Sequence, residues 1–273
     1  MIITQAILPV AGLGTRFLPL TKVVPKELLP LGNKPIIAHL VDECLDAGIT
    51  DFCFVINPGK ESIPQYFAPH PELEKALEKK GKLDAISELQ KYNNVHFSVA
   101  YQNEQHGDGH ALLQARDWIQ NPVVAVLFGD DLIHHERSGL QQLLDAYQTM
   151  EHDPANPGAL LALENVARDM VHKYGIVDVD GLVGTAHRIK GLVEKPTAET
   201  APSTLGIIGK YLVPRSVFNV LHELESGHGG EIRLIDALIH RLQHVPIYGV
   251  EMMGKRLDTG TPEGYKEAVR VLG

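Results

Sequence analysis

Two short apolar runs, residues 6–10 (AILPV) and 52–56 (FCFVI), bracket a segment whose apolar side chains recur at helical spacing: Ile36, Ile37, Leu40, Val41, Cys44 and Leu45. Gly48 supplies a stop signal after them. A strand, a helix and a second strand in so few residues make a βαβ unit, whose crossover leaves the two strands parallel. A parallel sheet must be covered on both faces, so helices are expected throughout. Residues 71–92 are a charge-laced helical segment broken near Gly81. Residues 95–101 (VHFSVAY) alternate like a strand, and 111–119 are predicted helical. Residues 123–128 (VVAVLF) form a third buried strand that runs into Gly129, Asp130 and Asp131.

The later half is more broken. Helices are expected over 138–150, 231–243 and 262–272. Strands are expected over 158–164, 174–179, 186–193, 205–213 and 245–251. No period repeats and no linker stands out. The predicted class is α/β: a Rossmann-like, mostly parallel (mixed) sheet flanked by helices, with added β structure in the second half. One domain is expected over residues 1–273, with no membrane-spanning run and no secretory signal.

Charge limits the partners. The net charge is −9, which argues against a general nucleic-acid binder. An anionic ligand would need locally gathered cations or a metal ion. Arg16, Lys22 and Lys26 lie close together just after the first strand, beyond a glycine-bearing turn at Gly12 and Gly14. The turn is not a dinucleotide fingerprint, because Phe17 occupies the third glycine position; no Gly-Lys-Ser/Thr of a P-loop follows. Taken alone, a Gly-x-Gly is a plain turn. Followed by three cations at the carboxyl end of a strand, it suits a polyphosphate. Asp130 and Asp131 follow another strand end, where one of them would face the crevice and suit Mg²⁺, since neighbouring side chains point apart. The two cysteines, Cys44 and Cys53, fall on apolar faces and suit a reduced, cytoplasmic protein. The fourteen histidines are read as solvated loop or helix-cap residues rather than zinc ligands.

Residues 11–37 (AGLGTRFLPLTKVVPKELLPLGNKPII) closely resemble the opening of the bacterial UTP–glucose-1-phosphate uridylyltransferases, within the sugar nucleotidyltransferase superfamily. YQNEQHGDGHALL, KYGIV, LVEKP, APSTLGIIGKYLV, GEIRLIDAL and LDTGTPEGY follow in that family's order. Pro25-Lys26-Glu27 separates the chain from thymidylyltransferase relatives, which usually carry Ser-Lys-Gln there. The resemblance implies a glycosyltransferase-A-like nucleotidyltransferase. It implies a nucleotide-binding part over about 1–135, a sugar-phosphate part over about 136–260 and a C-terminal helix.

By the same resemblance, Ala11, Gly12, Gly14, Thr15 and Arg16 line the nucleoside triphosphate and Lys26 faces its phosphates. Gln102 and Gly107 read uracil. Asp130 and Asp258 hold Mg²⁺. Gly175 and Glu194 meet glucose hydroxyls, and Lys195 pairs with the sugar phosphate; Arg16, Lys26 and Lys195 are the catalytic cations. The implied reaction takes UTP and glucose 1-phosphate to UDP-glucose and pyrophosphate in a homodimer or homotetramer. The same chemistry with dTTP, and a non-catalytic nucleotide-sugar-binding paralogue, are the alternatives. Three positions depart from the family pattern: Asp108 stands at a commonly apolar place, Thr204 replaces an Asn, and LDTG around Asp258 is closer to thymidylyltransferases.

Overall fold

A computed structural model describes residues 2–150, 153, 156–224 and 230–273. Its strands are β1 (Gln5–Pro9), β2 (Pro30–Leu31), β3 (Lys34–Pro35), β4 (Asp51–Ile56), β5 (His96–Tyr101), β6 (Val123–Leu127), β7 (Asp131–His134), β8 (Ala159–Asn165), β9 (Gly175–Val183), β10 (Ala186–Glu194), β11 (Leu205–Pro214), β12 (Ile247–Glu251) and β13 (Lys255–Asp258). Its helices are α1 (Ile36–Asp46), α2 (Ser62–Phe67), α3 (Pro71–Glu78), α4 (Leu83–Gln90), α5 (Asp108–Leu113), α6 (Gly139–Thr149), α7 (Arg215–Glu223), α8 (Leu234–Arg241) and α9 (Pro262–Leu272).

Nine strands form one sheet in the order β5-β4-β1-β6-β11-β8-β12-β10-β9. The strands of the first half, β5, β4, β1 and β6, are all parallel, as the βαβ reading requires. Beyond β6 the sheet turns mixed: β11 runs antiparallel to both β6 and β8, β12 is parallel to β8, and β10 and β9 close the far edge antiparallel.

The strand period of two sorts the core. Ala6 and Leu8 of β1, Phe52 and Phe54 of β4, and Ala125 and Leu127 of β6 pack on one face with Leu40, Val41 and Leu143 of α1 and α6. Ile7, Cys53, Val55, Val124 and Val126 pack on the other face with Leu112, Phe218, Leu221 and Leu238 of α5, α7 and α8. Both cysteines are therefore buried and free.

Two departures from the sequence reading have causes in distant parts of the chain. The segment 111–119 is not one helix: α5 starts earlier, and a short 3-10 turn covers Arg116–Trp118. The buried amide of Gln5 captures the backbone there, donating to Trp118 O and accepting from Gln120 and Asn121 N–H. Residues 231–233 stay extended because Ile232 donates to His106 O and accepts from Gly109 N–H, so α8 begins only at Leu234. Helices α2 and α7 and the β7–β13 strand pair have no counterpart in the sequence reading.

Helix α1 is clamped by Asp42, whose carboxylate takes Lys34 Nζ, Lys91 Nζ (2.7 Å) and Tyr92 Oη (2.9 Å). Burial pushes the Asp42 carboxyl up, but these donors outweigh it and hold it below the usual 3.8. A depressed carboxyl contributes stability in full above the unfolded-state value, lost as pH falls through the folded one. Asp42→Asn is therefore expected to cost roughly 1 kcal/mol at pH 7. Urea unfolding of both proteins from pH 7 downward should show that difference shrinking below pH 3.8; a gap that stays constant at acid pH rules out the charged clamp.

Candidate active site

The carboxyl ends of β1, β5 and β6 open onto a cleft of about 380 Å³. Ala11, Gly12, Lys26, Gln102, Gly107, Asp130, Glu194 and Lys195, eight of the residues singled out in the sequence, line it. Gly175 lines a recess of about 80 Å³ that shares Asp108, Glu194 and Arg233 with the cleft. Gly14, Thr15 and Arg16 do not line the cleft; they form its exposed rim, and Arg16 Nη1 reaches across to Gly260 O at 3.3 Å. Gly14 has a left-handed φ of 64° that turns the loop back, and Thr21 donates to its carbonyl at 2.9 Å.

Asp130 and Asp258 are far apart in sequence and meet through the two-stranded antiparallel ladder of β7 and β13, which sets Asp258 opposite Asp131. Asp130 Oδ2 and Asp258 Oδ1 lie 2.5 and 3.1 Å from one point, the place a Cβ on Gly260 would occupy. Thr259 N–H donates to Asp130 O at 2.8 Å and Gly260 N–H to Asp258 Oδ1 at 2.9 Å, so backbone bonds set the pair. Its neighbour Asp131 points the other way, buried against Arg256 Nε (2.5 Å) and Gly209 N–H (2.8 Å). The pleat thus divides the two aspartates, one facing the cleft and one holding the structure.

Lys26 Nζ sits 2.6 Å from Asp130 Oδ2. Burial works against the Lys26 ammonium, but Asp130 and Glu27 outweigh it and hold its pKa above the usual value. Burial likewise pushes the Asp130 carboxyl up, and Lys26 pulls it net below the usual range. Both groups are therefore charged at neutral pH. Beneath them Glu27, 1% exposed, receives Lys60 Nζ at 2.9 Å, and the same ammonium donates to Val10 O at 2.7 Å. This pair anchors the short turn Lys26–Leu28 against the end of β1.

On the opposite wall Gln102, 2% exposed, donates to Gly107 O at 2.9 Å. Gly107 has a φ of 99°, and a Cβ there would lie 2.5 Å from Ile232 O, so only glycine fits. Asp108 stays partly open to solvent at the cleft wall, and its Oδ1 accepts Leu234 N–H at 2.9 Å, tying α5 to the start of α8. Desolvation of its carboxyl lifts it above the usual value. Thr204 lies away from the cleft lining and donates to Asn165 Oδ1 at 2.7 Å.

Glu194 and Lys195 both reach the cleft although they are adjacent at the end of β10, and Lys195 Nζ stands 3.2 Å from Glu194 Oε1. The reason is a left-handed φ of 46° at Lys195, a conformation that costs a non-glycine residue about 1–3 kcal/mol. Its N–H is held by Tyr174 O at 3.0 Å.

Lys60, Arg233 and Arg256 are not singled out in the sequence, and Glu27 enters it only as a family marker. Lys60 follows the end of β4, so strand-end position was the available signal for it. Arg233 pairs with Asp236 at 2.9 Å and faces Glu194 at 3.8 Å, which no spacing rule reveals.

A cleft that sets two converging carboxylates between cations on opposite walls can align two phosphate esters. The nucleotidyl transferase family profile matches residues 5–272. The UTP–glucose-1-phosphate uridylyltransferase of Bacillus subtilis (strain 168) is 40% identical over 267 residues, covering 96% of this chain and 88% of that protein. A crystal structure of a UDP-glucose pyrophosphorylase complexed with UDP-glucose superposes with a TM-score of 0.86 at 35% identity, covering 99% of this chain and 98% of the other. A UTP-bound enzyme of that type from Acinetobacter baumannii gives a TM-score of 0.89 at 33% identity over 100% of this chain and 94% of the other.

Proposed function

We infer the reaction from one premise, that this chain belongs to the nucleotidyl transferase family: its cleft transfers UMP from UTP to glucose 1-phosphate. The observation that carries this is the likeness over nearly the whole chain to uridylyltransferases and to UTP- and UDP-glucose-bound structures, at a cleft lined by the residues such chemistry needs. A phosphate oxygen of glucose 1-phosphate attacks the α-phosphorus of UTP. The bond from that phosphorus to the bridging oxygen breaks, and pyrophosphate leaves. The nucleophile is already ionised, so no general base is required. Mutual repulsion and alignment are the obstacles.

Residue roles follow from position. Gln102 and Gly107 hold the base, and the loop from Ala11 to Arg16 follows the triphosphate, with Arg16 closing its outer end. Lys26 offsets charge on the departing pyrophosphate. Lys195 holds the sugar phosphate while Glu194 and the Gly175 recess receive sugar hydroxyls. A Cβ on Gly175 would meet Ile235 Cδ1 at 2.6 Å and fill that recess.

Asp130 and Asp258 fit Mg²⁺. They converge as an oxygen-only pair, and Mg²⁺ takes one or two carboxylates plus substrate phosphates. Among the described residues no group of three or more His, Cys, Asp or Glu could hold a metal. Bound there, Mg²⁺ would neutralise phosphate charge and orient the two esters.

Two free, buried cysteines support a cytoplasmic setting. A homodimer or homotetramer is proposed from the resemblance, and sedimentation velocity checks it. Among the described residues no helix is long and apolar enough to cross a membrane.

The test is pyrophosphate release with glucose 1-phosphate and each of UTP, dTTP, ATP, CTP and GTP, with and without Mg²⁺. Release with UTP supports the reading; preferential release with dTTP, or release with none, overturns it. Lys195→Ala is expected to lower turnover by roughly 10²–10³, the scale of one preorganised electrostatic contact. An unchanged steady-state rate removes Lys195 from this role.

A further inference from the structure

We propose that Arg256 is a positioning residue that mounts the aspartates and the Lys195 turn on one guanidinium. The proposal rests on Lys195 being the partner of the sugar phosphate. Arg256 is only 12% exposed at its side chain and lies outside the cleft lining. Its Nε takes Asp131 Oδ1, its Nη1 donates to Glu164 Oε2 at 3.2 Å and Tyr174 Oη at 3.1 Å, and its Nη2 faces Asp258 Oδ2 at 3.8 Å. Four parts of the chain therefore converge on one rigid fork: β7, β8, β13 and the turn before β9. The planar guanidinium fixes direction at each contact in a way a lysine cannot.

The Tyr174 contact gives this cluster its reach. Tyr174 Oη is held by Arg256, and Tyr174 O receives the N–H of Lys195. Lys195 sits in a left-handed conformation that persists only when its surroundings enforce it. The path from Asp258 through Arg256 and Tyr174 to Lys195 is continuous, each step a contact given above. The plainer role for Arg256 is to neutralise the buried Asp131. Tyr174→Phe separates the two roles, because it deletes one hydroxyl and leaves the Asp131 pair and the ring packing in place.

The experiment is calorimetric titration of UDP-glucose and of UTP onto the wild type, Tyr174→Phe, Lys195→Ala and their double variant, with Arg256→Lys as a further arm. UDP-glucose engages the Lys195 side of the cleft, whereas UTP lies on the Lys26 side. Tyr174→Phe is expected to weaken UDP-glucose roughly three- to tenfold and to leave UTP within about twofold. In the Lys195→Ala background the same change should add less than about twofold, because the two act in series. Arg256→Lys should show the same asymmetry, more strongly. Equal weakening of both ligands by Tyr174→Phe, no weakening, or full additivity with Lys195→Ala overturns the proposal. A wild-type protein that binds neither ligand overturns both the proposed function and this inference. One that binds both, with no asymmetry in the variant, overturns the inference alone. Tyr174→Phe is decisive even if Arg256→Lys does not fold.

Discussion

Asp130→Asn is expected to lower turnover by roughly 10³ or more, the scale of losing cationic stabilisation of a transferring phosphoryl group, which here the Mg²⁺ held by this carboxylate would supply. The substitution keeps the side chain's shape and its backbone bond to Thr259, so the fold has little reason to respond. It removes the negative charge 2.6 Å from Lys26 and one of the two carboxylates converging beside Gly260. Released from its partner, Lys26 meets the triphosphate with its charge uncompensated. Metal-free UTP binding should therefore hold steady or tighten while turnover collapses. Binding that improves as rate is lost is the signature of a group that acts on the transition state rather than the ground state. Steady-state pyrophosphate release beside UTP titration in a chelator checks both halves. Turnover within tenfold of wild type would remove Asp130 from the reaction.

Lys210→Ala is expected to cost about 3–5 kcal/mol of folding stability, the range for stranding one member of a buried ion pair. Lys210 on β11 is fully buried, and its Nζ stands 2.8 Å from Glu43 Oε2 on α1. The other oxygen of Glu43 accepts Leu140 N–H at 2.7 Å in the first turn of α6. Gly139 permits this approach, because a Cβ there would lie 2.7 Å from Lys210 Cδ. Sheet and two helices are thus joined at one point in the middle of the core. Against a total stability of about 5–15 kcal/mol, the loss is severe. Combining Lys210→Met with Glu43→Gln should recover most of it, since neither charge is then stranded and the amide oxygen still receives Leu140 N–H. Urea unfolding of the single and double variants decides the matter; equal losses in both would assign the effect to packing alone.

Strands and helices match their sequence patterns where local periodicity dominates. The two apolar runs around α1 specify the parallel half of the sheet, because fully covered strands carry unbroken apolar residues. Thr261 and Pro262 mark the start of α9 through a cap bond to Gly264 N–H and a proline suited to the first turn. Pattern and structure part where a distant group captures the backbone, as Gln5 does beyond α5 and His106 does before α8. No periodicity within 111–119 or 231–243 carries that information.

The sequence alone determined the fold class and the family likeness, and through that likeness pointed to eight of the cleft residues, because strand periodicity and motif order are local properties of the chain. It also implied that only one of Asp130 and Asp131 would face the crevice, since the pleat sends neighbours apart. Tertiary structure shows how Asp258 reaches Asp130 and how Lys195 shares a cleft with Glu194, both implied by the resemblance, and it alone decided that Arg16 stands on the rim rather than inside. Those outcomes depend on the antiparallel pairing of β7 with β13, a loop reaching Gly260, and a left-handed residue held by Tyr174. Each is a contact between segments remote in the chain, and its energy exists only once the sheet has assembled.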